Sequence, residues 1–215
     1  MSPPELSPPA PPLGVVLAGG QGRRLGGGGK ALREVGGRTL VELAVAKLQS
    51  VCPRVVVVTS RVTELAGLPV ELIADHLPGE GPLAALATAL WFTRAPAVLV
   101  LAVDLPLART EFLSLLAQGD PTARALVPVG PEGFQPLMAW YSRACLPMAQ
   151  SLLAQGERKI GLLVRRVAAR KLGPEVWSAV DPEGESFFNV NYPEDLAKVR
   201  ALIARRGLFD TPLPA

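Results

Sequence analysis

The sequence predicts an α/β fold, a single domain built on a mostly parallel sheet. Three observations lead there. Short apolar runs rich in β-branched residues alternate along the chain with longer stretches whose apolar positions recur at helical spacing. The strand-like runs, Val55 to Val58 being the clearest, stay apolar and stop at polar residues or Pro, as buried strands do. And 215 residues suffice for one domain with a full hydrophobic core but not comfortably for two.

The elements follow in order. Leu13 to Ala18 is an apolar run ending in glycines, a buried strand that feeds a loop. Thr39 to Leu48 reads as a helix with Thr39 as its cap. Arg54 to Thr59 is a second strand and Val70 to Ile73 a shorter third. Pro82 to Phe92 is helical, with Pro in the first turn where its missing N–H costs least. Ala97 to Val103 is the next strand, with Asp104 at its end, and Thr110 to Ala117 is a helix. Ala123 to Val127 and Gln135 to Trp140 read as strands; Cys145 to Ala154 and Ile160 to Arg165 are helices broken by Gly156. Phe188 to Val190 reads as a short strand, and Pro193 to Arg205 as a closing helix with Asn191 as its cap. The domain spans residues 13–206, between a Pro-rich tail at 1–12 and a loose end at 207–215.

Composition narrows the function. Apolar residues make up 49% and the mean hydropathy is +0.30, yet no run approaches the roughly 20 residues of a membrane span. The first dozen residues carry six prolines and no Lys or Arg, unlike a signal peptide. A cytoplasmic protein is expected. The net charge of +3 suits an anionic small-molecule substrate without calling for nucleic acid. Cys52 and Cys145 are far apart and follow no metal-ligand spacing, so they read as reduced thiols.

The chemistry should lie just after the strands, because parallel sheets bind ligands beyond the carboxyl ends of their strands. Leu17 to Lys30 carries seven glycines in fourteen positions, with Arg23, Arg24 and Lys30 among them. Such a loop can wrap its backbone around an anion, and its cations suit phosphates. It is neither a Walker A loop, since Arg24 and Ala31 stand where Gly and Ser/Thr are required, nor a dinucleotide loop, since Leu25 takes the third glycine position. Asp104 ends a buried strand and faces the crevice, where a carboxylate suits Mg²⁺, which uses one or two beside substrate phosphates; a helix cap or a salt-bridged carboxylate is the alternative reading. Asp75 to Ala85 follows the third strand and opens a helix whose N–H groups can receive an anion. His76, the single histidine, reads as a loop residue.

These motifs resemble one family. Leu17-Ala18-Gly19-Gly20, the spaced Arg-Leu-Gly and Lys30 match the opening motif of nucleotide-diphosphate-forming transferases. Asp104-Leu105-Pro106, Gly81-Pro82-Leu83-Ala84 and Gln135-Pro136-Leu137 match further elements. Phe187-Phe188-Asn189-Val190-Asn191-Tyr192-Pro193-Glu194-Asp195-Leu196 strongly resembles the ending of molybdenum cofactor guanylyltransferases, and Gly156-Glu157-Arg158-Lys159 a basic turn of theirs. The resemblance covers Leu13 to Ile203. It implies a Rossmann-like three-layer fold of nucleotide-diphospho-sugar transferase type, and transfer of GMP from GTP to molybdopterin with Mg²⁺ as cofactor.

Carried over residue by residue, the resemblance puts Leu17, Ala18, Gly19, Gly20, Lys30, Asp75 and Asp104 on the nucleotide. Lys30, Asp104 and Arg24 are the catalytic candidates, and Asp104 the metal ligand. Gly81, Arg158, Lys159, Asn189 and Asn191 fall to the acceptor, with Arg165 a further basic candidate. Three departures stand out: Gly29 where the family often has Asp, Thr59-Ser60-Arg61 where a guanine-contacting Asn is expected, and Ala85 in place of a glycine. The rival readings are CTP as donor, a sugar or other phosphate as acceptor, and a non-catalytic nucleotide-binding relative. As partners, only transient contacts with molybdoenzymes or cofactor chaperones are expected, for a monomer or weak oligomer.

Overall fold

The structure, a computed structural model, describes residues 10–19 and 29–206. From the N-terminal side the elements are β1 (Leu13–Leu17), β2 (Glu34–Val35), β3 (Arg38–Thr39), α1 (Leu40–Gln49), β4 (Val55–Thr59), β5 (Glu71–Ala74), α2 (Pro82–Thr93), β6 (Ala97–Ala102) and α3 (Thr110–Ala117). There follow β7 (Ala125–Gly130), β8 (Gly133–Phe134), β9 (Met138–Ser142), α4 (Leu146–Ala154), α5 (Ile160–Arg166), β10 (Arg170–Leu172), α6 (Pro174–Trp177) and α7 (Pro193–Arg206).

The main sheet runs β10-β7-β9-β6-β1-β4-β5, with β8 added to β7. β1, β4, β5 and β6 are mutually parallel, whereas β9 lies antiparallel between β6 and β7. The expected α/β architecture is therefore present, with a sheet that becomes mixed on one side. Pleating sorts the strand side chains into two cores. Val15, Val56, Val58 and Val100 face α2, α4 and α5, while Val16, Val57, Leu99 and Leu101 face α1, α3 and α7. Each such buried aliphatic contributes about 1.5–3 kcal/mol over leaving it in water, which explains why these strands carry no polar alternation. Three layers result.

Most predicted elements fall where expected, and Thr39 caps α1 in a full capping box with Glu42. The sequence reading needs correction in three places. Gln135 is not in a strand: its N–H donates to Pro128 O and its carbonyl accepts from Met138 N, so the strand begins only at Met138. Among the described residues Phe188 to Val190 pairs with no strand; Val190 N–H instead bonds Asp104 O at 2.8 Å. And the side chain of Asn191 does not cap α7. Asp195, in the first turn, accepts the backbone N–H groups of Asn191 and Tyr192 at 2.9 Å each, which holds its carboxyl below the usual carboxylate range. The tail at 1–9 and the end at 207–215 lie outside the described residues.

Candidate active site

The order of the strands makes the site. From β1 the chain moves outward to β4 and β5, then crosses back to β6 on the other flank of β1, creating a topological switch point between β1 and β6. The residues that leave these strands open at one edge, around a cavity of about 500 Å³ lined by Leu17, Gly19, Arg61, Asp75, Gly81 and Asp104, among others.

At its mouth three distant residues meet. Lys30 Nζ donates to Asp104 Oδ2 at 3.1 Å and to Asn191 Oδ1 at 3.1 Å. The backbone fixes the same meeting, since Asp104 O accepts Val190 N–H. Asp104 Oδ1 is buried and has no hydrogen-bond partner among the described residues. A buried carboxylate oxygen without a donor is costly unless a ligand satisfies it. No cluster of three or more His, Cys, Asp or Glu side chains occurs among the described residues. The donors therefore suit a hard cation that takes one carboxylate, neighbouring oxygens and substrate phosphates, and not a thiolate- or imidazole-bound metal.

Asp75 sits at the end of β5, its N–H bonded to Thr59 O at 2.8 Å across the parallel pair. Its Oδ1 accepts from Leu77 N–H at 3.2 Å and from Thr88 Oγ1 at 3.4 Å, so the buried Thr88 of α2 holds the carboxylate in place. At the start of α2, Gly81 has φ 83°, a left-handed conformation that lets the chain turn from the cavity wall into the helix.

A second cavity, of about 470 Å³, opens beyond the Asp104 turn, lined by Leu107, Phe134, Gln135, Glu185, Phe187 and Asn189, among others. Phe187 packs edge-on against Phe112 at 5.6 Å and against Trp177 at 4.9 Å. A Cβ at Gly130 would overlap the Phe187 ring, so glycine there lets β7 approach the cavity wall.

Residues 14–171 match the MobA-like NTP transferase domain, most of the chain. The chain belongs to the MobA-like NTP transferase family. It is 36% identical over 200 residues to a probable molybdenum cofactor guanylyltransferase of Chloroflexus aggregans, covering 91% of this chain and 96% of that one. It is 32% identical to a molybdenum cofactor guanylyltransferase of Desulfosudis oleivorans, covering 88% and 95%. The crystal structure of molybdopterin-guanine dinucleotide biosynthesis protein A from Archaeoglobus fulgidus superposes with a TM-score of 0.79 at 28% identity, covering 90% of this chain and 99% of that one.

In this MobA-like chain the predicted site residues divide. Leu17, Gly19, Asp75, Gly81 and Asp104 share the first cavity, and Lys30 and Asn191 join Asp104 at its mouth. Ala18 buries its methyl in the core, so only its backbone is available at this edge; its N–H bonds Val58 O. Asn189 and Asn191 do not act as a pair. Because no strand forms there, their side chains part, Asn191 to Lys30 and Asn189 to the second cavity and Phe187 O. Arg158 lies beside Gly81 but is ion-paired to Glu80, while Lys159 and Arg165 are exposed. Gly20, Arg23 and Arg24 lie outside the described residues.

Sequence reasoning singled out Gln135 and the motif that begins at Phe187, but not the second cavity that Gln135, Phe187 and Asn189 line, nor the packing of Phe187 against Phe112 and Trp177 beside it. It noted Arg61 only as a departure. The structure puts Arg61 in the lining of the first cavity, its guanidinium against Gly29 and paired to Glu64 at 2.8 Å.

Proposed function

We propose that this chain transfers GMP from GTP to the phosphate of molybdopterin, forming the guanine dinucleotide cofactor and releasing pyrophosphate. The observation that carries the reading is the Lys30–Asp104–Asn191 meeting at the mouth of a switch-point cavity, in a chain so similar to guanylyltransferases along its whole domain. An acceptor phosphate oxygen attacks the α-phosphorus of GTP, and the bond from that phosphorus to pyrophosphate breaks. The attacking oxygen is already anionic, so no general base is needed. The barrier is charge, and positioning with electrostatic stabilisation lowers it.

The first cavity takes the nucleotide, with Asp75 accepting from the base and Lys30 meeting the phosphates. Asp104 would hold Mg²⁺ through its buried Oδ1, with Asn191 beside it; the bound ion supplies neutralisation of the phosphate oxygens. The second cavity takes the ring of the acceptor, whose phosphate then reaches back past Asn189 toward Asp104. The test is pyrophosphate release with Mg²⁺ and each NTP, with and without molybdopterin. Release with GTP that requires the pterin is expected. Release with CTP instead overturns the base assignment, and GTP binding without release for any acceptor overturns transfer.

A further inference from the structure

The segment from Asp181 to Asn191 carries both acceptor-side asparagines but joins no sheet among the described residues, so other contacts fix where they stand. Its apolar anchor is Phe187, packed among Phe112 and Trp177. A ring in a pocket holds a loop down but sets its register only loosely. The ionic contacts around Arg109 are more specific. Asp181 is fully buried, and its carboxylate oxygens accept Glu185 N–H at 3.2 Å and Ser186 N–H at 2.9 Å. Arg109 Nε lies 3.1 Å from Asp181 Oδ1, an ion pair without hydrogen-bond geometry, and Arg109 Nη2 donates to Glu185 Oε2 at 3.2 Å. The backbone N–H of Arg109 donates to Ser186 Oγ at 3.0 Å.

Burying a carboxylate costs several kcal/mol that its pairing only offsets, so such a pair is weak evidence for stability and better evidence for a fixed geometry. The two segments it joins are the ones the reaction needs in register. Arg109 ends the turn that begins at Asp104, and the bonded segment runs on to Asn189, to Val190 with its bond to Asp104 O, and to Asn191 at Lys30.

We propose that Arg109 and Asp181 are positioning residues that set the acceptor-side asparagines against Asp104, and so the affinity for the acceptor and not for the nucleotide. The assignment rests on the transfer reading above, so the experiment has one arm that needs no turnover. In Arg109→Gln, Arg109→Lys and Asp181→Asn, the amide of Val190 is followed by hydrogen exchange beside those of β1 and β4. Arg109→Gln should speed Val190 exchange about tenfold while the strands stay protected, and Arg109→Lys should restore part of it. In the kinetic arm, Arg109→Gln should raise KM for molybdopterin about tenfold and leave KM for GTP within about twofold. Unchanged Val190 exchange, or equal rises in both KM values, overturns the proposal. A wild type without pterin-dependent turnover overturns the transfer reading alone, and the exchange arm still decides whether Arg109 and Asp181 position the segment. Should Asp181→Asn not fold, the two Arg109 variants carry the test.

Discussion

The two cavities, one lined by Asp104 and the other by Leu107 and Asn189, are built on opposite plans. The first is made by strand ends: β1, β4, β5 and β6 run parallel, and each delivers a residue to the same edge. The second is made by loops and a hairpin, with walls set by an aromatic ring and a glycine, and with the Arg109–Asp181 ion pair tying the neighbouring segments together. Where the sheet does the positioning, the chemistry needs only the right residue at the strand's end. Where it does not, side chains distant in sequence must hold one another. The nucleotide side should therefore fail by loss of chemistry, and the acceptor side by loss of geometry.

The largest effect should come where the two plans meet. Lys30→Ala and Asp104→Ala should each lower kcat by about a hundredfold to a thousandfold, as removal of one preorganised charge commonly does. Both side chains are mostly buried, and Lys30→Ala leaves the Asp104 carboxylate without its donor, so that variant should also unfold at a lower temperature. A variant that keeps wild-type turnover would remove that residue from the mechanism.

Next comes the acceptor side. Gly130→Ala places a methyl against the Phe187 ring, which must shift and carry the cavity wall with it. KM for the acceptor should rise about tenfold with GTP affinity unchanged, measured by varying each substrate at saturating amounts of the other. Equal losses for both substrates would erase the contrast between the cavities.

The contrast also explains what the sequence could disclose. The strands of the parallel half are apolar because they are buried on both faces, and a glycine, a cation or a carboxylate directly after such a run is conspicuous. Asp75 and Asp104 were legible for that reason, and Lys30 because it closes the glycine-rich loop that follows β1. The acceptor side offers no such signal. Phe188-Asn189-Val190-Asn191 alternates like a strand, yet no neighbouring strand is left for it to pair with, and the tertiary contacts of Asp104 and Lys30 decide its path. Arg109 and Asp181 lie 72 residues apart and belong to no motif, so only folding reveals that they meet. β10 was missed because three residues at a sheet edge, two of them charged, carry no periodicity.

A smaller effect is expected within the nucleotide side. Thr88→Val keeps the shape of a buried side chain but removes the hydroxyl that donates to Asp75 Oδ1 and accepts from His76 N–H. The change should cost about 1 kcal/mol of stability. KM for GTP should rise several-fold while KM for the acceptor holds. A rise in the acceptor's KM alone would mean that Asp75 serves the other cavity.

The smallest effect tests how far the acceptor half depends on ionic ties. Asp120, before β7, accepts from Thr122 and Arg170, and these hydrogen bonds depress its carboxyl to about 2 from the ordinary 3.8. A carboxyl whose pKa falls on folding binds fewer protons folded than unfolded, so stability rises with pH across that interval. The contribution is complete above the unfolded value and disappears as the pH drops from about 4 toward 2. In urea unfolding at stepped pH, Asp120→Asn should lie below wild type at pH 6, and the gap should close through this window. Because Arg170 is largely exposed, solvent screening keeps the gap small and added salt should narrow it further. Wild-type stability of Asp120→Asn at pH 6 would mean that β10 is held by backbone pairing alone, and a gap that persists unchanged to pH 2 would mean that Asp120 acts without its charge.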